Sequence, residues 1–471
     1  MLSKSEQKRR NFILNGPLWK VILSISAPLA IYGLFNYLYG FFDLLMVSHI
    51  GGNEVASVVF IDEIKNAVMA FGAGIAAGGA VIVARHYGAG DIEEARRNAG
   101  SSFLLAFSVA SVISVIILIF GKVILKLLKA PEEMIDAGYG YFNVQIISTS
   151  LMAINAVFIG LEKAKGNTRF ILWLNILTMI VKLILSAFFV FGLGKGAFHV
   201  GLATLIAQAM LMVVALFIMF SPKNSFQIKV SELTFKKKYV LPILALSIPV
   251  FTGKFLFSFG KVIVNSMAAL YGSLAVAAFG IAMKLGGGPG AISIIFEESE
   301  TSIISQNLGN KKLKRALNTY YLSHLFALVV GGLGLIVVSN LVDKIIPIFT
   351  TETDPLFYEM ILNIYYWEKF SVLTSASIAV ITGLFIGFKF TKVAFILNVA
   401  RLFIFRLPLL WLLQYLGVGY IALGYVMFIS NTLTMLTAFV MLIIFILKLK
   451  TYGYQDMHLD DQFSNIQLEN E

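Results

Sequence analysis

The chain carries two copies of one pattern. Residues from Leu23 to Ala95 realign with residues from Leu244 to Ala316 at a constant shift of 221, without a gap. Pro28 then falls on Pro249, Gly51 on Gly272, Ala56 on Ala277, Gly88 on Gly309 and Ala95 on Ala316. A second stretch realigns at a shift of 223, with Gly160 on Gly383, Asn175 on Asn398, Gly196 on Gly419, Gly201 on Gly424 and Gln208 on Asn431. A shift held near 222 over most of 471 residues requires two related halves.

What lies between the matched positions is apolar. The chain is 58% hydrophobic and 13% charged, with 40 Phe and 18 Tyr, and a soluble domain could not hide that much apolar surface. Twelve apolar segments, at about 18–48, 55–85, 98–128, 138–161, 168–192, 198–220, 239–270, 275–305, 318–348, 359–386, 390–415 and 420–447, are each long enough to cross a bilayer. Unpaired backbone is too costly in lipid, so the segments are helices and the fold is all-α, twelve transmembrane helices in two homologous six-helix lobes. Two repeated bundles of this kind are the architecture of alternating access.

Charge placement sets the topology. The net charge of +11 sits in short loops rather than in a nucleic-acid patch. Lys4, Lys8, Arg9, Arg10, Arg85, Arg96, Arg97, Lys163, Lys165, Arg169, Lys236 to Lys238, Lys311, Lys312, Lys314 and Arg315 share one side, against Lys122, Lys126, Lys129, Lys195 and Lys344 on the other. Both termini are therefore expected in the cytoplasm of a multi-pass plasma-membrane protein. The expected divisions are a basic N-terminus (1–17), an N-lobe (18–220), a polar linker (221–238), a C-lobe (239–447) and a cytoplasmic tail (448–471), with disorder expected from Tyr452 to Glu471. The apolar run Val21 to Val47 is too long for a cleavable signal peptide. Cysteine is absent, His49, His86, His199, His324 and His458 are scattered, and there is no Walker A sequence. Thiolate chemistry, a metal site, a cofactor, ATP drive and an enzyme are all argued against.

Several motifs together resemble the multidrug and toxic compound extrusion (MATE) family. The first segment reads Pro28-x14-Asp43-x7-Gly51; the loop Gly88-Ala-Gly-Asp-x3-Ala95 has a second copy, Gly309-Asn-Lys-Lys-x3-Ala316; and Gly166-Asn167 precedes the fifth segment. The resemblance implies export driven by inward H+ or Na+, one cavity between two lobes, a small-molecule substrate and a monomer in the lipid bilayer. It fails at two places. Where one branch of the family carries an Asp on helix 5, this chain has Ser186, with Lys182 one turn earlier. Another branch uses acids on helices 7 and 10, and of these only Glu368 is present.

Ionisable groups inside membrane segments are functional candidates by default. Asp43 is the sharpest, as a proton or cation site, with Asn36 and Tyr39 on the same helical face; a structural carboxylate held by Lys182 is the alternative. Glu297, Glu298 and Glu300 lie in the eighth segment, and Glu297 and Glu300 share a face. They follow Gly286-Gly-Gly-Pro-Gly290, a run expected to break the helix. They belong either to the substrate cavity or to a solvated mouth. Lys254 and Lys261 share a face of the seventh segment and either pair with those acids or hold an anion. Glu63 falls on Lys284 in the repeat, which raises a gating ion pair. Glu368, Lys369, Arg401 and Arg406 add charge in the tenth and eleventh segments. The reading is an antiporter for organic cations or amphipathic drugs. A flippase for an anionic lipid-linked precursor and a passive channel are the rivals.

Overall fold

The computed structural model describes residues 2–48, 52–127, 132–222, 224, 226–349 and 354–452, with side chains undescribed at 36–48, 52–60, 62–64, 66–67, 127, 132–137, 273, 293, 348–349 and 452. The tail beyond 452 lies outside the described residues.

Fifteen α-helices account for nearly all of it. They are α1 (Lys4–Asn15), α2 (Leu18–Ser48), α3 (Gly52–Ala89), α4 (Ile92–Leu127), α5 (Glu132–Ala164), α6 (Thr168–Ala187), α7 (Ala197–Phe220), α8 (Lys237–Ala268), α9 (Ser273–Gly309), α10 (Leu313–Phe349), α11 (Pro355–Glu368), α12 (Ser371–Gly387), α13 (Thr391–Val399), α14 (Leu407–Tyr415) and α15 (Ala422–Tyr452). They supply twelve stretches long and apolar enough to cross a membrane, the number expected from the sequence. Two of these stretches are assembled from more than one α-helix. The tenth joins α11 to α12, and the eleventh joins α13 to α14 through a π-helical turn, Ala400–Arg406.

The chain forms two compact units. One holds residues up to Pro17 and Leu23–Phe251; the other holds Leu18–Ile22 and the chain from Thr252 onward. In the first unit α3 packs against α5, and glycine sets the approach. A Cβ on Gly72 would stand 2.6 Å from the Ala153 Cα, and one on Gly160 would stand 3.1 Å from the Ala76 carbonyl oxygen. In the second unit α9 packs against α12 at the equivalent place. A Cβ on Gly383 would stand 2.8 Å from the Glu297 carbonyl oxygen. The Thr301 hydroxyl donates to the Gly383 carbonyl at 3.0 Å and Ser305 to that of Gly387 at 3.3 Å. Small residues that let backbones touch, with hydroxyls bonded across, are how helices associate where lipid removes the hydrophobic drive. Gly383→Ala is therefore expected to cost about 1–3 kcal/mol by forced separation of α9 and α12. Gly160→Ala, with more room, costs less, and thermal unfolding of the two variants compares them.

The N-terminus is itself structured. Ser3 and Glu6 form a capping box that starts α1. Ile13 and Leu14 are buried, and the Arg10 guanidinium donates to the carbonyls of Tyr87 and Gly88 at 2.7 Å each. It thereby satisfies carbonyls at the end of α3, which a helix leaves open. The Arg9 guanidinium donates to Asn167 at 2.7 Å, and the Asn167 amide donates to buried Glu162 at 2.6 Å. Gly166 supplies the positive φ of +74° that this turn needs.

One expectation is corrected here. The run Gly286–Gly290 does not break its helix: α9 continues from Ser273 to Gly309 with Pro289 inside it. Pro289 is buried against α10, where a Cβ on Gly334 would stand 2.8 Å from its ring. Close packing by the neighbouring helix offsets the hydrogen bond that proline forfeits.

Candidate functional site

The interruption that the sequence suggested at Gly286–Gly290 lies instead at Glu368. α11 ends on this residue, Lys369 and Phe370 turn, and α12 restarts at Ser371. The helical hydrogen-bond ladder loosens there beside a buried charge, while Lys369 and Phe370 both keep right-handed helical dihedrals. Glu368 is buried, and its Oε2 has no hydrogen-bond partner among the described residues. It faces Gly286 of α9, where any Cβ would collide with the carboxylate.

Arg401 and Arg406 supply the opposing charge, and both act electrostatically on Glu368. Five residues apart, they would point about 140° away from each other on an α-helix. In the π-helical turn, whose bonds run from i to i+5, they share a side. Both then converge on one acceptor. Asn431 Oδ1 of α15 accepts from Arg401 Nε and from Arg406 Nη2, each at 2.8 Å. Arg406 Nε also donates to the Ser430 hydroxyl at 3.1 Å, and Arg401 to Ser375 at 3.4 Å. The Phe257 ring of α8 lies 4.6 Å from the Arg401 guanidinium and 5.8 Å from that of Arg406, a cation–π arrangement.

A second cluster lies on α9. Glu300 is fully buried, and neither carboxylate oxygen has a hydrogen-bond partner among the described residues. Ser323 and the backbone of Leu384 face it without hydrogen-bond geometry. Glu297, half-buried, acts on it from the previous turn and is itself within electrostatic reach of Lys254. Tyr320 of α10, also within reach of Glu300, begins a chain of hydrogen bonds. Its hydroxyl lies 2.9 Å from His324 Nδ1, His324 Nε2 lies 3.0 Å from the Ser377 hydroxyl, and Ser377 donates to the Leu373 carbonyl at 3.1 Å. Because Ser377 gives its hydrogen to Leu373, its oxygen accepts from His324 Nε2, which leaves Nδ1 to accept from Tyr320.

The internal repeat makes the acids conspicuous. Glu297 and Glu300 occupy the positions that Ala76 and Gly79 occupy in the first copy. The α3–α5 crossing is made there with small residues alone. The α9–α12 crossing therefore needs no carboxylate to form, and two are present.

The other candidates divide. Lys182 and Ser186 are buried one turn apart on α6, in the first unit. Glu298, Lys254, Lys261 and Lys284 are exposed, and Lys261 lies 5.2 Å from the Phe257 ring. The side chains of Asp43, Asn36, Tyr39 and Glu63 lie outside the described residues, and with them one half of the Glu63–Lys284 pair. Sequence reasoning noted Arg401, Arg406 and His324 without joining them to a site, and it missed Tyr320, Ser377 and the role of Asn431.

Comparison with known proteins bears on the whole chain. The MatE family profile matches residues 28–188 and 249–412. Multidrug export protein MepA of Staphylococcus haemolyticus is 26% identical over 304 residues, covering 63% of this chain and 66% of that protein, just under two thirds of its length. An FAD transporter of Shewanella oneidensis is 23% identical over 421 residues, covering 87% of this chain and 91% of its own. Among solved structures, an outward-facing multidrug resistance MATE family transporter of the MOP superfamily superposes with a TM-score of 0.89 at 18% identity. It covers 96% of this chain and 99% of that one.

Proposed function

The chain belongs to the MatE family of membrane transporters, and from that premise we propose that it is a secondary active exporter of organic cations or amphipathic drugs, driven by inward H+ or Na+. The observation that carries this reading is the sealed Glu300 with its neighbour Glu297. Leaving a charge buried without a partner costs several kcal/mol. A carboxyl group in that setting is useful where it can take up and release a proton or a monovalent cation as the protein changes state. Glu368 at the helix break is the second such group, and Asp43 is assigned the same task on α2. Lys182 and Ser186 would shape the first unit's share of the cavity, and Lys254 and Lys261 would tune the charge near Glu297.

A flippase for an anionic lipid-linked precursor would draw on basic residues inside the membrane segments. Arg401 and Arg406 are committed to Asn431, Ser430 and Phe257, so they do not stand ready for an anionic lipid-linked precursor. The named functions of the relatives, multidrug export and FAD transport, also point to small molecules as cargo.

The test is ethidium movement in proteoliposomes under an imposed pH or Na+ gradient. Movement under one gradient alone identifies the coupling ion, and Asp43→Asn is expected to remove it. Full movement with Asp43→Asn would end the role of Asp43; no movement of folded protein under either gradient would sink the export reading.

A further inference from the structure

The repeat pairs two membrane spans of equal length, and they part at one turn. α5, Glu132–Ala164, and the tenth span, Pro355–Gly387, have 33 residues each and align without a gap at the shift of 223. Asn143 then falls on Tyr366, Ile146 on Lys369 and Ile147 on Phe370. In the first copy α5 runs through Ile146 without interruption, and Ile146 is fully buried in the core of its unit. In the second copy the turn tightens, with the N–H groups of Val372 and Leu373 donating to the carbonyls of Lys369 and Phe370, three residues back, at 3.3 and 3.2 Å. A buried isoleucine is thus replaced by a lysine that is only half-buried.

Depth decides what Lys369 faces. It stands near the middle of its span, more than about 20 Å along the helix from either end, too far for its four-carbon stem to carry the ammonium to the interface. A charge turned to lipid at that depth is too costly to stand, so Lys369 faces water held within the protein. Its neighbour Glu368 is turned to Gly286 and to the two arginines. What holds the Lys369 ammonium is aromatic: the Tyr366 ring lies 4.7 Å from it and the Phe370 ring 5.3 Å. Both rings are exposed, and four residues apart they share a side of the helix. They are also fixed from behind. Phe428 of α15 lies 5.9 Å from both Phe370 and Trp367, and Trp367 packs edge-on against Tyr425 at 4.8 Å.

We propose that Tyr366 and Phe370 form a cargo subsite for organic cations, and that Lys369 is its tethered competitor. The inference rests on the cationic cargo proposed above. The resident ammonium marks the two ring faces as a place where a cation is held by the ring quadrupoles, with no carboxylate needed. Such faces accept cations of different shapes, since the attraction does not depend on matched hydrogen bonds. An arriving cargo cation displaces the ammonium from the rings. The ammonium returns to them as the cargo leaves, which keeps binding weak enough for release.

Thiol labelling of the full chain in phosphatidylcholine nanodiscs, where both membrane faces are accessible, tests this. The chain has no cysteine of its own, so Lys369→Cys introduces a unique thiol. A trimethylammonium methanethiosulfonate reagent is expected to modify it, and saturating ethidium to slow the modification about tenfold. Leu333→Cys, an exposed apolar position midway along α10, is the lipid-facing control and is expected to stay unmodified. No modification at 369, equal modification of both positions, or no slowing by ethidium overturns the proposal. Ethidium binding, read by fluorescence anisotropy without a gradient, then separates the rings from the competitor. Lys369→Gln is expected to tighten binding about tenfold and Tyr366→Leu/Phe370→Leu to weaken it about as much, while Lys369→Arg stays near the intact chain. Unchanged affinity in the ring variant, beside gradient-driven ethidium movement by the intact chain, overturns the subsite and leaves the export reading standing. An intact chain that neither binds nor moves ethidium overturns both.

Discussion

Glu300→Gln is expected to reduce gradient-driven transport to the leak of protein-free liposomes, with the chain still folded and inserted. The side chains are nearly isosteric, so the α9–α12 crossing at Gly383 keeps its geometry. What is lost is the ability to exchange a cation. Stability is expected to hold or rise, because Gln removes the cost of keeping an unpartnered ionisable group buried. Glu298→Gln serves as the internal control. It removes a carboxylate two residues earlier on the same helix, from an exposed position, and is expected to leave transport unchanged. The paired assay of gradient-driven ethidium movement and thermal unfolding decides the matter. Undiminished transport by Glu300→Gln would remove this residue from the coupling machinery, and a collapse in stability would make its role structural.

His324 offers an independent handle on the same cluster. It is tied to Tyr320 and Ser377 and stacked on Phe439 at 5.7 Å. Its ring is therefore held in one tautomer by a Ser377 hydroxyl already committed to Leu373. The chain from Tyr320 to Leu373 runs beside Glu300 and joins α10 to α12. A change in the protonation of Glu300 would be felt along it as a change in helix packing, which is what coupling requires of a membrane carboxylate.

Much of the architecture was legible because a bilayer imposes it. Length and hydropathy require helices of a certain size, and the repeat follows from matched glycines such as Gly160 and Gly383, whose contacts with Ala76 and Glu297 are equivalent in the two units. The acids Glu297, Glu300 and Glu368 were legible for the same reason, since a charge in an apolar segment stands out. What could not be read is local backbone geometry. Gly286–Gly290 has the composition of a break but is held helical by the packing of Pro289 on α10. The irregular turn follows Glu368 instead, in Lys369-Phe370, two residues with no turn signature. The pairing of Arg401 with Arg406 depends on a π-helical turn, and helical periodicity of 3.6 places them on different faces. Asn431 did carry a signal. It is the repeat partner of Gln208, and that position accepts a hydrogen bond in both copies: from Asn155 at 3.0 Å in the first unit and from the two arginines in the second.

Those arginines yield the largest expected effect on stability. Arg406→Met is expected to destabilise the chain by about 3–5 kcal/mol, the cost of breaking a buried charge network from one side. Three consequences add up. Asn431 loses one of its two donors, Ser430 loses the Arg406 Nε–H, and the Phe257 ring keeps only Arg401 above it. Glu368 meanwhile loses one of the two cations acting on it. Arg406→Lys is expected to recover only part of the loss, since an ammonium cannot reach Ser430 and Asn431 together as the planar guanidinium does. The double variant Arg406→Met/Glu368→Gln separates hydrogen bonding from charge. If the charge interaction dominates, neutralising Glu368 returns about 1–3 kcal/mol, and the two substitutions are not additive. Additive costs, measured by thermal or denaturant unfolding in detergent, would mean that Glu368 and Arg406 do not interact in the folded chain. Glu368 would then stand at the helix break with only Arg401 acting on it. The same cycle run on transport asks whether the arginines set the resting charge of the site: Arg406→Met/Glu368→Gln would then recover fold without recovering gradient-driven movement, because the exchangeable carboxyl group is gone.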